Sequence, residues 1–224
     1  MTAPRDEPGR ARVLVTGFEP FGGSPVNPSM QVARAMAARR WPATTVATCI
    51  LPVVGGTGPG SARRRLDEAI DGFRPQAVLL LGEACTRGAV SIERTAFNAR
   101  EYAIADNAGN VARGAPVVAG APGSHPAGLP VDDLIAAVRA HGIAAECSSD
   151  AGRFLCNEVM FHVLERRARR GTPAFAGFIH LPQLPEQHAL RPVEARPMPL
   201  DEMVDAMRAI VGRVAGLCVR LAQK

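Results

Sequence analysis

Lysine is almost missing from this 224-residue sequence, Lys224 being its one example, and tryptophan and tyrosine occur once each. The formal charge of +5 therefore rests on arginine. Its basic clusters, Arg63-Arg64-Arg65 and Arg166 to Arg170, have little aromatic interleaving and no groove-reading motif beside them. They read as solvated helical faces, and no nucleic-acid partner is expected. No apolar run approaches membrane-spanning length, so no membrane partner is expected either. The segment from Met1 to Glu7 carries both charge signs and lacks the apolar core of a secretory signal. Five cysteines (Cys49, Cys85, Cys147, Cys156 and Cys218) are odd in number and lack paired metal spacing. That pattern speaks against a disulfide framework and against a zinc site, and fits a reduced cytoplasm. Neither a Walker pattern nor a dinucleotide fingerprint accompanies Gly22-Gly23, which leaves phosphate binding without support.

What the sequence does contain is ordinary globular composition, 47% hydrophobic and 21% charged, loosened by 22 glycines and 19 prolines. One domain over residues 1–224 is expected, with residues 1–10 as a flexible N-terminus. Short apolar runs at 12–16, 45–51, 77–81, 144–147 and 176–181 read as strands. Helical periodicity covers 29–40, 61–73, 131–141, 150–170 and 200–221, with Ser149 or Asp150 capping the fourth helix. The alternation predicts an α/β fold, a mainly parallel sheet with helices on both faces. Ligands gather at the carboxyl ends of strands in such folds. That points to segments 17–23, 55–60, 82–98 and 180–187, while the Gly/Pro-rich stretch 107–130 is long enough to be a flap.

Three residues in or near those segments have chemical potential. Cys156 falls in the first turns of the fourth helix, where unpaired amides and the helix dipole favour a thiolate. A lone helical cysteine more often fills a core. His180 ends the strand at 176–181 ahead of Pro182, and an imidazole titrating near neutrality suits a general base. Taken alone it fits a satisfied structural histidine. Glu93, behind the strand at 77–81, has the chemistry to orient an imidazole, and equally that of a surface acid paired with an arginine.

Taken together, six ordered pieces tip this balance: Val15-Thr16-Gly17-Phe18-Glu19-Pro20-Phe21-Gly22-Gly23 with Asn27-Pro28; Glu93-Arg94 with Asn98; Asp106-Asn107; Gly128-Leu129-Pro130; Ala151-Gly152 with Phe154-Leu155-Cys156-Asn157; and Gly177-Phe178-Ile179-His180-Leu181-Pro182 with Pro185-Glu186-Gln187. In these the chain resembles pyroglutamyl peptidase I, or pyrrolidone-carboxylate peptidase, a family of cytoplasmic cysteine exopeptidases. The resemblance implies a three-layer α/β/α sandwich of phosphorylase/hydrolase type. It implies a triad of Cys156 as nucleophile, His180 as general base and acid, and Glu93 as orienter. The implied reaction removes N-terminal 5-oxoproline from peptides with a blocked N-terminus, with no metal and no cofactor, in a possible homotetramer. Phe18, Phe21, Ile104, Phe154 and Leu155 would surround the lactam, although phenylalanines at such positions also fit plain core packing.

Two positions depart from the family pattern. Ala103 stands where the family usually carries an arginine thought to stabilise the oxyanion, a donor whose loss costs about 2.7–4 kcal/mol of transition-state stabilisation. Arg100, three residues earlier, is a conceivable substitute. Glu83 replaces a glutamine at a substrate-contacting position, and a carboxylate offers only acceptors. Two alternatives remain at this point: a triad acting on a different small acyl-amide, or a non-catalytic binding protein on the same scaffold.

Overall fold

A computed structural model describes residues 10–223. The expected flexible N-terminus falls almost wholly outside the described residues. The described chain runs β1 (Ala11–Phe18), α1 (Pro28–Ala38), β2 (Thr44–Leu51), α2 (Ala62–Phe73), β3 (Ala77–Glu83), β4 (Val90–Glu93), β5 (Thr95–Phe97), β6 (Ser124–Pro126), α3 (Val131–Arg139), β7 (Ala145–Ser148), α4 (Leu155–Arg170), β8 (Phe175–Leu181), α5 (Pro185–Leu190) and α6 (Leu200–Ala222). Six strands form one sheet in the order β2-β1-β3-β8-β4-β7, and β5 pairs with β6 apart from it. All neighbours in the large sheet are parallel except β4 and β8.

The central strands are apolar at nearly every position because both faces are covered. On one face Val13, Val15, Leu79 and Ile179 pack with α1, α3 and α6 through residues such as Met36, Leu134 and Met207. On the other, Leu14, Val78, Leu80 and Phe178 pack with α2 and α4 through Leu66, Ile70, Leu155 and Val159. The α/β/α sandwich expected from the sequence is therefore present. Among the described residues no helix is long and apolar enough to cross a membrane.

Local chemistry sets the helix ends. Asn27 caps α1 by accepting from the Ser29 amide at 3.0 Å, with Pro28 at the first helical position. Gly171, at φ 68°, ends α4 in the left-handed conformation. The start of α4 differs from expectation. Asp150 does not cap it; its carboxylate accepts from the Gly152 amide at 2.9 Å and from Arg153 at 2.7 Å, folding 150–154 into a turn. The helix begins at Leu155 with no side-chain cap, so its first amides stay unpaired by the helix itself.

Two further readings are corrected. The 107–130 stretch is not a free flap: Ser124–Pro126 pairs with β5, Gly128 bridges to Ala176, and Asn98 donates to the carbonyls of Val118 and Ala121. The arginine clusters are not simply solvated. Arg63 is buried, donating to the Val117 carbonyl at 2.7 Å, and Arg166 pairs with Asp67 and Asp71.

Candidate active site

Strand register brings the candidate residues together. Gly82 on β3 lies beside His180 on β8, and Ser91 on β4 lies opposite His180 across the antiparallel pair. Glu93 is two residues beyond Ser91, so the alternation of strand side chains turns it to the same face as His180. That face is the one α4 covers. Cys156 is the second residue of α4, and its sulfur rests over Gly82: a Cβ built on Gly82 would lie 3.0 Å from Cys156 Sγ and 2.6 Å from Phe178 Cζ. Glycine is thus the residue that leaves room for the sulfur above the β3–β8 edge. Gly82→Ala is expected to lower kcat about a hundredfold by displacing the sulfur, with a loss of melting temperature from overpacking. Paired steady-state kinetics and thermal melts check this, and an unchanged kcat would refute it.

Glu93 is fully buried and its Oε1 lies 2.7 Å from His180 Nδ1. Burial alone would push this carboxyl up, but His180, Ser148 and Arg87 together hold it below its ordinary value. It is therefore a carboxylate, and it fixes the Nδ1–H tautomer of His180, which leaves Nε2 free to accept a proton. Burial pulls His180 below its ordinary value despite the pull of Glu93 the other way, so the imidazole is neutral at neutral pH.

Packing around Cys156 works against the resting thiolate expected from the helix position. Packing pushes the Cys156 thiol up to about 12, Glu93 adding to the effect while the residue's own amide and Arg87 oppose it. Desolvation outweighs the helix end here, because one turn of unpaired amides contributes less than removing a thiolate from water costs. Both shifts favour a neutral thiol and a neutral imidazole at rest.

A small cavity of about 20 Å³ opens beside Cys156, lined by Phe18, Phe21, Asn27, Val53, Glu83, Phe154 and Leu155. Phe21 and Phe154 face each other at 6.0 Å, and Tyr102 packs edge-on to Phe154 at 4.9 Å. Ile104 does not join them: it is half exposed, near Gly22. Glu83 receives two hydrogen bonds of 3.2 Å from Gln187 Nε2 and is raised by burial.

Arg100 does not take the place of an arginine at 103. Its guanidinium lies 3.8 Å from the buried Glu158, which also receives the Gly56 amide and the Tyr102 hydroxyl, while Ala103 is exposed. Sequence reasoning gave no role to two residues. Asn157 is fully buried and clamps α4 to the chain at 97–99, accepting from Phe97 N and donating to the Phe97 and Ala99 carbonyls. Its place beside Cys156 was the available signal. Arg87 pairs with Glu93 at 2.5 Å. Among the described residues no group of three or more potential ligands is placed to hold a metal ion.

An α/β/α sandwich with a thiol at a helix start, a neutral imidazole and a buried carboxylate on one sheet face is the arrangement of a cysteine hydrolase. The family model for pyroglutamyl peptidase matches residues 11–215. A pyrrolidone-carboxylate peptidase from Gloeobacter violaceus is 47% identical over 184 residues, covering 82% of this chain and 87% of that protein. One from Chromobacterium violaceum is 40% identical, covering 89% and 90%. The crystal structure of pyroglutamyl peptidase I from Bacillus amyloliquefaciens superposes with a TM-score of 0.84 at 30% identity, covering 94% of this chain and 95% of that one. The chain belongs to the pyroglutamyl peptidase family.

Proposed function

We propose that the protein is a cysteine exopeptidase that hydrolyses the bond after an N-terminal pyroglutamyl residue, with Cys156, His180 and Glu93 as its triad. The observation that carries this is the cavity beside Cys156, whose walls are apolar except for Asn27, Glu83 and the thiol. A neutral ring with one N–H and one C=O suits such a lining, and a charged N-terminus gains little from the phenylalanines. His180 Nε2 takes the thiol proton as sulfur adds to the pyroglutamyl carbonyl carbon. It returns that proton to the departing amine, leaving an acyl-thioester, and then deprotonates the water that resolves it. With Ala103 exposed and Arg100 engaged by Glu158, the unpaired first-turn amides of α4 are the donors available to the oxyanion. Turnover of pyroglutamyl-amide but not prolyl- or glutamyl-amide fluorogenic substrates tests the reading. Equal turnover of all three, or none, sinks it.

Glu83 gives the specificity its own test. Its carboxylate, held by Gln187, accepts from a lactam N–H but offers nothing to a lactam carbonyl. Its folded-state pKa lies above the ordinary 4.5. Through that window the unfolded chain has released a proton that the folded chain keeps, so stability falls as pH rises. Glu83→Gln is therefore expected to melt higher than wild type at about pH 8, with the difference vanishing below about pH 4. Melting curves that are parallel in pH would refute the buried carboxylate.

The peptide partner is a chain with a blocked N-terminus. Cytoplasmic location and a homotetramer are supported by the family resemblance.

A further inference from the structure

We propose that Arg87 is a positioning residue of the reaction, its guanidinium clamping Glu93 to the loop ahead of Cys156 and balancing the carboxylate's charge beside His180. This rests on the triad reading above.

Arg87 lies in the β3–β4 connection and reaches two elements. Its Nη1 donates to Glu93 Oε1 at 2.5 Å, and its Nη2 donates to the Asp150 carbonyl at 2.9 Å, in the turn leading to α4. Glu93 Oε1 is also the atom that holds His180 Nδ1 at 2.7 Å. One carboxylate oxygen thus joins a guanidinium and the imidazole, and that guanidinium is tied to the segment that delivers the nucleophile. The fork of arginine allows both bonds at once.

The charges around His180 give the clamp a second effect. Glu93 from β4 and Arg87 from the connection act on the imidazole; the Cys156 sulfur from α4 lies over Gly82, the register neighbour of His180, with Glu83 at the end of β3 acting on that sulfur; Ser91, opposite His180, directs its hydroxyl to Glu146 on β7. The Asp150 carboxylate is occupied by Arg153. Arg87 is the one cation in this set beside two acids. Without it the surroundings of His180 turn negative and favour imidazolium, which cannot take the thiol proton.

Arg87→Gln keeps a donor and removes the charge, whereas Arg87→Lys keeps the charge and removes the fork. In Arg87→Gln the His180 titration midpoint, followed by imidazole NMR without substrate, should rise by about one pH unit, and the acid limb of kcat/KM should move with it. In Arg87→Lys the midpoint should stay within a few tenths of wild type while kcat falls roughly tenfold to a hundredfold at unchanged KM, through loss of the Asp150 tether. A residue that merely joins loops would lower the melting temperature of both variants without moving the midpoint. An unmoved midpoint in Arg87→Gln overturns the proposal. Should that variant not fold, a wild-type kcat in Arg87→Lys does so. A shifted midpoint in a protein that turns over no pyroglutamyl substrate would instead retain the role of Arg87 and refute the substrate.

Discussion

Cys156→Ala is expected to abolish pyroglutamyl-amide hydrolysis, a loss on the order of a million-fold in kcat, because removing the nucleophile of a triad costs about as much as removing the whole triad. Cys156→Ser should fall to the same floor. A hydroxyl in that site must give up a proton far less acidic than a thiol's, and the surroundings already penalise an anion there. Substrate affinity should survive in both, since the ring cavity is formed by Phe18, Phe21, Phe154 and Leu155. Calorimetric binding of a pyroglutamyl peptide to Cys156→Ala separates loss of chemistry from loss of the site. The thiol carries a second expectation. With its pKa at about 12, the difference in ultraviolet thiolate absorbance between wild type and Cys156→Ala should be absent at neutral pH and emerge only in strongly alkaline solution. A thiolate signal that persists into mild acid would mean a resting thiolate–imidazolium pair and would refute the neutral pair derived above.

That expectation reverses what position along the chain implied, and the reversal shows where sequence stops. The placement of Cys156 at a helix start was legible from the apolar periodicity of Leu155, Val159 and Val163 after a polar turn, and the strand ending in His180 from its unbroken apolar run. Strand β4 was not legible. Val90-Ser91-Ile92-Glu93 is only four residues long, and its two polar side chains look like a solvated face. Glu93 points instead at His180 and the site, and Ser91 bonds Glu146 on β7, because β8 and β7 close around β4 from both sides. The upward push on the Cys156 thiol was equally invisible, since it depends on packing by Gly82 and Phe178 and on the charge of Glu93, residues far apart in the chain that only the strand register brings together. Ile104 failed for a related reason: an apolar residue in a loop carries no periodicity to say which way it faces, and it faces outward.

Glu93→Gln is expected to lower kcat about ten-thousandfold, the cost measured elsewhere for the acid-to-amide change in a hydrolase triad, while leaving the backbone in place. The change is nearly isosteric, and Arg87 can still donate to an amide oxygen at this position. What changes is the charge on the partner of His180. Glu93 Oε1 accepts from both Arg87 and Nδ1, which requires an acceptor there and fixes the imidazole proton on Nδ1. With Arg87 holding the amide oxygen in the Oε1 position, that same oxygen still accepts from Nδ1, so the tautomer is kept and the loss is one of charge. Loss of the carboxylate removes the charge that stabilises imidazolium during transfer, so the His180 midpoint falls further below its already lowered value. Removing that charge also lowers the Cys156 thiol, whose second-largest upward influence is Glu93. Cys156 should therefore titrate at lower pH in Glu93→Gln even as turnover collapses. An enzyme that loses activity while its thiol grows more acidic distinguishes a relay set by Glu93 from a carboxylate that only supports the fold. A variant retaining more than about a tenth of wild-type kcat would remove Glu93 from the relay altogether.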